Sequence, residues 1–358
     1  MKHASLIRFL SLMLTSLIVL TFCACASDKT PDDTSGGTSD PVSDTDAVDL
    51  RTVPVRVMVL SGSTGFGMAP LMDKAAKGEA ALSYSFSVEN DASVITPALL
   101  NGSCDIAALP TNAARVLYAK KPDSIQILCA NTLGVLYVMT GEGVTVSSLA
   151  DLKGKTVYCP AQNPSVIFGA ICKESGLEPG TDVFIDTSYA QPAELRTALV
   201  TGKVDVAVLP EPMVTIAASV NDKLTVALDL TQEWENAFGE GASLVQGCLV
   251  VRTAFAKENS EVIAAFLEEY EASVNFAKDN PVEAGAMIEA QGVFTNGAVA
   301  AKAIPKCNLC FCTGEEMGEM LDVFYVFMMG YDLDSVGGRL PDHTPLYYGA
   351  VTSGWIVN

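Results

Sequence analysis

Two histidines, His3 and His343, are all the imidazole in this 358-residue chain. Chemistry that needs a histidine base or a multi-histidine metal centre therefore has almost nothing to run on. His343 lies in a Pro-rich tail segment, where it is expected to be solvated. Ten cysteines are present, but eight of them (Cys104, Cys129, Cys159, Cys172, Cys248, Cys307, Cys310, Cys312) fall mostly inside apolar runs, where a thiol serves as a small core residue. The string CNLCFC (307–312) has ligand-like spacing, yet no second cluster or histidine stands where a tetrahedral site needs one. No metal and no cofactor is expected. What remains is a set of hydroxyl and amide side chains in four short loops, SGSTGFGM (61–68), PTNA (110–113), PAQNPS (160–165) and PEPM (210–213). Such groups donate and accept hydrogen bonds, so the chemistry on offer is reversible binding. None of the four loops carries Lys or Arg. An anion held there would rely on N–H groups and hydroxyls, and a neutral or zwitterionic heterocycle is served as well. Arg115 and Arg196 fall in adjoining helices and are expected at the surface.

The elements that must position these loops are visible in an internal repeat. Shifted by 100 residues, ALLNGSCDIAALP (98–110) lies over ALVTGKVDVAVLP (198–210), with seven of thirteen positions identical. Each copy predicts a helix end, a glycine stop, a short buried strand and a proline-limited turn into another helix. Upstream, VRVMVL, a helix over about 68–77 and SYSFSVE correspond to KTVYCP, a helix over about 165–175 and DVFIDT. Strands alternating with helices imply right-handed crossovers and parallel sheets, hence an α/β fold with two similar lobes. Ligands of open α/β sheets sit at the carboxyl ends of strands. There all four loops open helices, and their free N–H groups favour an anion or the negative end of a polar ligand.

The N-terminus has Lys2 and Arg8 ahead of fourteen uncharged, mostly apolar residues, Phe9 to Phe22, too few to span a bilayer and suited to an export signal. Ala24 before Cys25 resembles the lipobox of a bacterial lipoprotein, with Cys25 preferred over Cys23 as the acylated residue. Residues 26–50 are rich in Asp, Ser, Thr, Gly and Pro and are expected to form an acidic disordered tether. The net charge of −20, from 22 basic against 42 acidic residues, argues against nucleic acid as a partner. It is expected to keep an exported body soluble.

The segments VRVMVLSGSTGFG, GSCDIAALPTNAA, SLADLKGKTVYCPAQNPS and LVTGKVDVAVLPEP together resemble the substrate-binding lipoproteins of ABC importers. The group is the NMT1-like one, which includes sulfonate, nitrate and thiamine-pyrimidine binders. The resemblance implies a type II periplasmic-binding-protein fold, in which two α/β lobes joined by two crossing strands close on a solute. The crossings are expected near 131–134 and 251–255. That gives a signal over 1–25, the tether over 26–50, lobe I over 51–133 plus 254–358, and lobe II over 134–253. Around the solute it would place Ser61, Ser63, Thr64, Phe66, Thr111 and Asn112 from lobe I, and Leu133 and Gly134 at the hinge. Lobe II would add Gln162, Asn163, Ser165 and Glu211. Phe66 would stack on a ring, and Glu211 would either pair with an amine or simply favour its helix start. Partners implied are a small solute, a permease and an ATPase, with the membrane reached through the lipid anchor alone and the protein a monomer. The same residues also suit a lipoprotein sensor acting on a signalling partner. CNLCFC further resembles the iron motif of the yeast-type pyrimidine synthase, an enzyme of this fold.

Overall fold

The repeat read from the sequence becomes two sheets with matching strand order. The structure, a computed structural model, describes residues 49–339 and 345–349. The expected signal with Cys25, the tether as far as residue 48, and His343 lie outside the described residues. Asp49, assigned to the tether, already belongs to the folded body, where its carboxylate accepts from Arg51 N and caps the turn Leu50–Thr52.

In chain order the first lobe contains β1 (Pro54–Leu60), α1 (Ser63–Phe66), α2 (Ala69–Ala76), β2 (Ser83–Glu89), α3 (Ala92–Asn101), β3 (Ile106–Pro110), α4 (Thr111–Lys120) and β4 (Ile125–Thr132). The second contains β5 (Leu136–Thr140), β6 (Thr156–Tyr158), α5 (Asn163–Glu174), β7 (Phe184–Asp186), α6 (Pro192–Val200), β8 (Val206–Pro210), α7 (Met213–Val220), β9 (Thr225–Asp229) and α8 (Leu230–Phe238). The chain then returns through β10 (Gly247–Arg252), α9 (Thr253–Glu258), α10 (Ser260–Asp279), α11 (Pro281–Ala290), α12 (Gly297–Ala303), β11 (Leu309–Cys312) and α13 (Gly314–Tyr331).

The first sheet runs β11-β4-β10-β3-β1-β2 and the second β7-β6-β8-β5-β9. Without β11, the orders β2-β1-β3-β10-β4 and β7-β6-β8-β5-β9 are the same arrangement, with β1, β2 and β3 parallel as are β6, β7 and β8. In each sheet one antiparallel strand is supplied by chain arriving from the other lobe: β10 beside β3 and β4, β5 beside β8 and β9. Strands β3 and β8 are buried along four of their five residues, as continuous apolar runs covered on both faces must be. Helix α3 stops at Gly102 and the α6 turn at Gly202, at φ 77° and 69°, a left-handed conformation that glycine adopts without a Cβ clash.

β4 ends at Thr132 and β5 begins at Leu136, so the first crossing is Leu133–Val135, against 131–134 from the sequence. The return lies upstream of its expected place near 251–255, because β10 already pairs with β3 and β4 from Gly247 onward. The apolar run LVQGCLVV is thus a crossing followed by a first-lobe strand, and lobe II ends before Gly247 instead of at 253. The two crossings run side by side: Gln246 N donates to Thr132 O at 2.9 Å and Val135 N to Gln246 Oε1 at 2.6 Å.

One core lies between the first sheet and α2, α10, α11 and α12, and another between the second sheet and α6 and α7. The third is continuous through both lobes, joining α3, α4, α5 and α8 through the buried face of α13, Met317, Leu321, Phe324, Tyr325 and Met328. Helix α13 therefore serves both lobes. Phe324 meets Trp234 of α8 at 5.5 Å, and Phe327 stacks on Phe238 at 4.4 Å.

Candidate functional site

All four loops stand at carboxyl ends of parallel strands and run into helices: 61–62 between β1 and α1, β3 passing directly into α4 at Pro110–Thr111, 159–162 between β6 and α5, and 211–212 between β8 and α7. The helix-capping residues Gly62 and Gln162, 100 positions apart, share positive φ (95° and 68°). Glycine accepts that freely, whereas at Gln162 it costs about 1–3 kcal/mol, a strain that tends to collect at functional sites.

The residues expected around a solute divide into those with free hydrogen-bonding capacity and those whose capacity is used. Asn112 Oδ1 and Asn163 Oδ1 are buried with no hydrogen-bond partner, one in each lobe. Such an atom is costly unless something else satisfies it. Ser63 and Thr64 lie in the first turn of α1, with Ser63 largely buried and the Thr64 carbonyl accepting from Asn131 Nδ2 at 3.0 Å. Gln162 is exposed, and Ser165 Oγ donates back to its carbonyl at 2.9 Å. Ser61 Oγ is tied to Val293 O at 2.9 Å. Thr111 is fully buried: its hydroxyl donates to Val245 O at 2.6 Å and its N–H to Gln246 O at 3.2 Å, so it fastens α4 to the second crossing. Phe66 needs correcting, because it is fully buried in the first-lobe core against Phe294, with ring centroids 6.0 Å apart, and presents no face for stacking.

Glu211 is also sealed. Its carboxylate accepts from Thr215 N at 3.1 Å and Thr215 Oγ1 at 3.0 Å, closing the first turn of α7. Burial pushes its pKa above the ordinary carboxylate value, outweighing those hydrogen bonds and the pull of Lys306. Leu133 lines a cavity of about 420 Å³ with Lys278, Ile304, Pro305, Asn308, Leu309 and Cys310. At Gly134 a Cβ would come within 2.1 Å of Thr231 Oγ1 and 3.1 Å of Leu244, so only glycine fits where the crossings meet α8.

Several residues at this junction escaped the sequence reading. Asn131 is 2% exposed and ties Thr64 O to Tyr270 Oη, with 3.1 Å to the latter. Gln246 joins the two crossings. Both are single amides inside apolar runs, ILCANTLG and LVQGCLVV, and that contrast was a usable signal. Lys306 and Asn308 carried none, because they arrive from far along the chain. Asn308 Nδ2 donates to Gly134 O at 2.6 Å, and Leu133 N donates to Asn308 O at 3.1 Å. Arg115, expected at the surface, is 1% exposed and donates to Arg339 O. Arg196 is half-exposed. Among the described residues no group of three or more His, Cys, Asp or Glu is placed to hold a metal ion, the CNLCFC cysteines included.

A family model described as NMT1/THI5 like matches residues 79–284, which takes in the loops after β3, β6 and β8 and both crossings. No match to a curated protein was found. Among solved structures, an ABC transporter protein from Parabacteroides distasonis superposes with a TM-score of 0.68 at 23% identity, covering 80% of this chain and 96% of that one. The periplasmic aliphatic sulphonate binding protein SsuA from Escherichia coli gives 0.65 at 15% identity, with 85% and 95% covered. A ligand binding component of an ABC-type import system from Staphylococcus aureus, with zinc bound, gives 0.60 at 13%, with 79% and 95% covered. At these identities the likeness is one of fold. The family match spans more than half of the sequence, and the chain belongs to the NMT1/THI5-like family.

Proposed function

We propose that this protein is the extracytoplasmic solute-binding component of an ABC importer, capturing one small polar solute between its lobes and handing it to a membrane permease with its ATPase partner. The observation that carries the reading is the pair of adjacent crossings, Leu133–Val135 and the segment ending at Gln246, beneath helix starts contributed by both lobes. Two lobes joined this way can open to admit a solute and close around it, and solute contacts made from both sides stabilise the closed form. Asn112 and Asn163, each with an unsatisfied buried oxygen, are the side chains assigned to that closure, with Ser63, Thr64, Gln162 and Ser165 beside them. No bond-making step is assigned to the site. Cys25 is taken as the lipid attachment point, which tethers a monomeric body to the outer face of the cell membrane. Family membership and the named neighbours support this role.

The test is a thermal-shift and calorimetric screen of the mature chain against sulfonates, amino acids, pyrimidines and flavin-like rings, followed by uptake assays in cells. A stabilising solute whose binding falls about tenfold or more on Asn112→Ala or Asn163→Ala is expected. A stabilising solute that neither substitution affects would reject the assignment of the cleft. If no solute stabilises the chain and uptake is unchanged in its absence, the importer role is rejected.

A further inference from the structure

Resting on the solute-binding reading, the charge of the solute follows from one ion pair. The four loops bring no Lys or Arg. A cation nevertheless arrives from elsewhere: Lys306 closes the turn Ile304–Lys306, which follows α12 and is rooted in the first-lobe core through Ile304 and Cys307. The Lys306 carbonyl accepts from Tyr137 Oη of β5 at 3.2 Å, while Asn308 holds the next residues to Gly134 and Leu133. These backbone ties fix Lys306 at the carboxyl end of β8, where its Nζ stands 3.9 Å from Glu211 Oε1. The two side chains differ in access. That of Lys306 is 54% exposed and that of Glu211 is not exposed at all. A solute approaching here meets an ammonium group with an inaccessible carboxylate directly behind it.

A carboxylate 3.9 Å behind the ammonium offsets about half of its pull on an anion about 4 Å in front of it. A free lysine draws an oxyanion; a lysine backed by a carboxylate does so more weakly. We infer that Glu211 and Lys306 set the charge selectivity of the cleft: Glu211 neutralises the cation an oxyanion headgroup would use, so the protein takes a solute without net negative charge. Glu211 acts here as a specificity-determining residue that never touches the solute, through its effect on Lys306. The arrangement also accounts for its position, since a sealed carboxylate cannot be the partner of a solute amine.

The experiment is calorimetry on the mature chain, with three probes of similar size and different charge: ethanesulfonate, taurine and ethylammonium. Wild type is expected to bind ethanesulfonate weakest of any solute it takes. Glu211→Gln should strengthen ethanesulfonate binding by about tenfold or more, and adding Lys306→Met to that variant should abolish the gain. Lys306→Met alone should shift preference the other way, toward ethylammonium, and supplies an independent arm if the Gln variant does not fold. Ethanesulfonate binding unchanged within about twofold in Glu211→Gln would overturn the inference, as would tight binding of ethanesulfonate by wild type. Either result, obtained alongside any captured solute, leaves the solute-binding role standing. Failure of every solute to bind any variant removes both.

Discussion

Asp105 and Asp205 occupy the same place in the internal repeat, one residue before β3 and β8, yet Asp105 is fully buried between two arginines and Asp205 is exposed. Arg56 grips Asp105 with Nε and a terminal nitrogen, both at 2.7 Å, and Arg252 adds a third contact at 3.0 Å. The positions equivalent to those arginines in the second lobe are Thr156 and Gly141. The backbone relation survives where the side chains do not: Arg252 N donates to Asp105 O and Gly141 N to Asp205 O, both at 2.8 Å. Burial alone would raise the Asp105 pKa, but hydrogen bonds from Arg56 and Arg252 outweigh it and hold the group below its ordinary value.

Asp105→Ala should therefore cost about 3 kcal/mol, because it leaves two converging guanidinium groups without their partner, whereas Asp205→Ala should change stability by about 0.5 kcal/mol or less. Since the folded-state pKa of Asp105 is depressed, its contribution is present above the unfolded value near 3.8 and is lost as pH falls through the folded one. Urea melts of both variants at pH 7 and pH 3 check the contrast. Equal costs at pH 7 would mean that the two copies of the repeat use this aspartate alike.

Glu211 has the opposite sign. A carboxyl whose folded pKa is raised favours folding while it is protonated, and that advantage is lost as pH rises through the folded value. Glu211→Gln, which removes the buried charge and keeps an acceptor for Thr215, should melt higher than wild type at pH 7. The difference should vanish near pH 4, where wild type is neutral as well. Thermal melts across that range read it directly, and a variant less stable at pH 7 would show that the Lys306 contact outweighs desolvation.

How much of this could be read from sequence depended on how far each feature is spread along the chain. The repeat announced itself because each copy folds from contiguous residues: Ala98 to Pro110 carries its own helix end, glycine stop and buried strand. The first crossing, Leu133–Val135, is likewise contiguous, an apolar run broken by Gly134. Strand β10 was misplaced because its apolar run looks identical whether it pairs in one lobe or the other, and only the partners β3 and β4 decide. Phe66 differs from its expected place because α1 turns its ring back into the core, which the loop's own residues do not show. Arg115 is buried by α4 packing on the C-terminal region, contacts hundreds of residues away in sequence. Lys306 meets Glu211 across a separation of 95 positions, with no pattern linking them.

Gly134, in the first crossing, is the residue whose substitution should be most informative. A methyl group there would press on Thr231 Oγ1 and Leu244, the one opening α8 and the other leading into the second crossing. Gly134→Ala should destabilise the protein by about 1–3 kcal/mol through overpacking and bias it toward lobe separation, seen as a larger radius of gyration by small-angle scattering. Adding Thr231→Ser removes a methyl group but leaves the Oγ1 obstruction, so it should rescue little, whereas adding Thr231→Gly should restore most of the loss. Rescue by Thr231→Ser to the same degree would show that the methyl group, and not the hydroxyl, sets the limit.

The thiols provide a test of the core assignment. All eight cysteines of the body are free, with six buried and only Cys310 and Cys312 partly exposed, on β11 at the edge of the first sheet. Burial pushes the Cys310 thiol up to about 12, and Cys312 is raised too, with the charge of Glu316 adding to burial. Thiolate is the reactive form, so alkylation should be slow at pH 7 throughout the folded protein and should begin at Cys312, the less buried of the pair. Peptide mass spectrometry after timed exposure to iodoacetamide is expected to show Cys312 labelled first, Cys310 next, and Cys129, Cys159, Cys248 and Cys307 only once the protein unfolds. Early labelling of Cys159 or Cys172 would mean that the packing of α5 against the second sheet opens far more readily than its buried apolar residues imply.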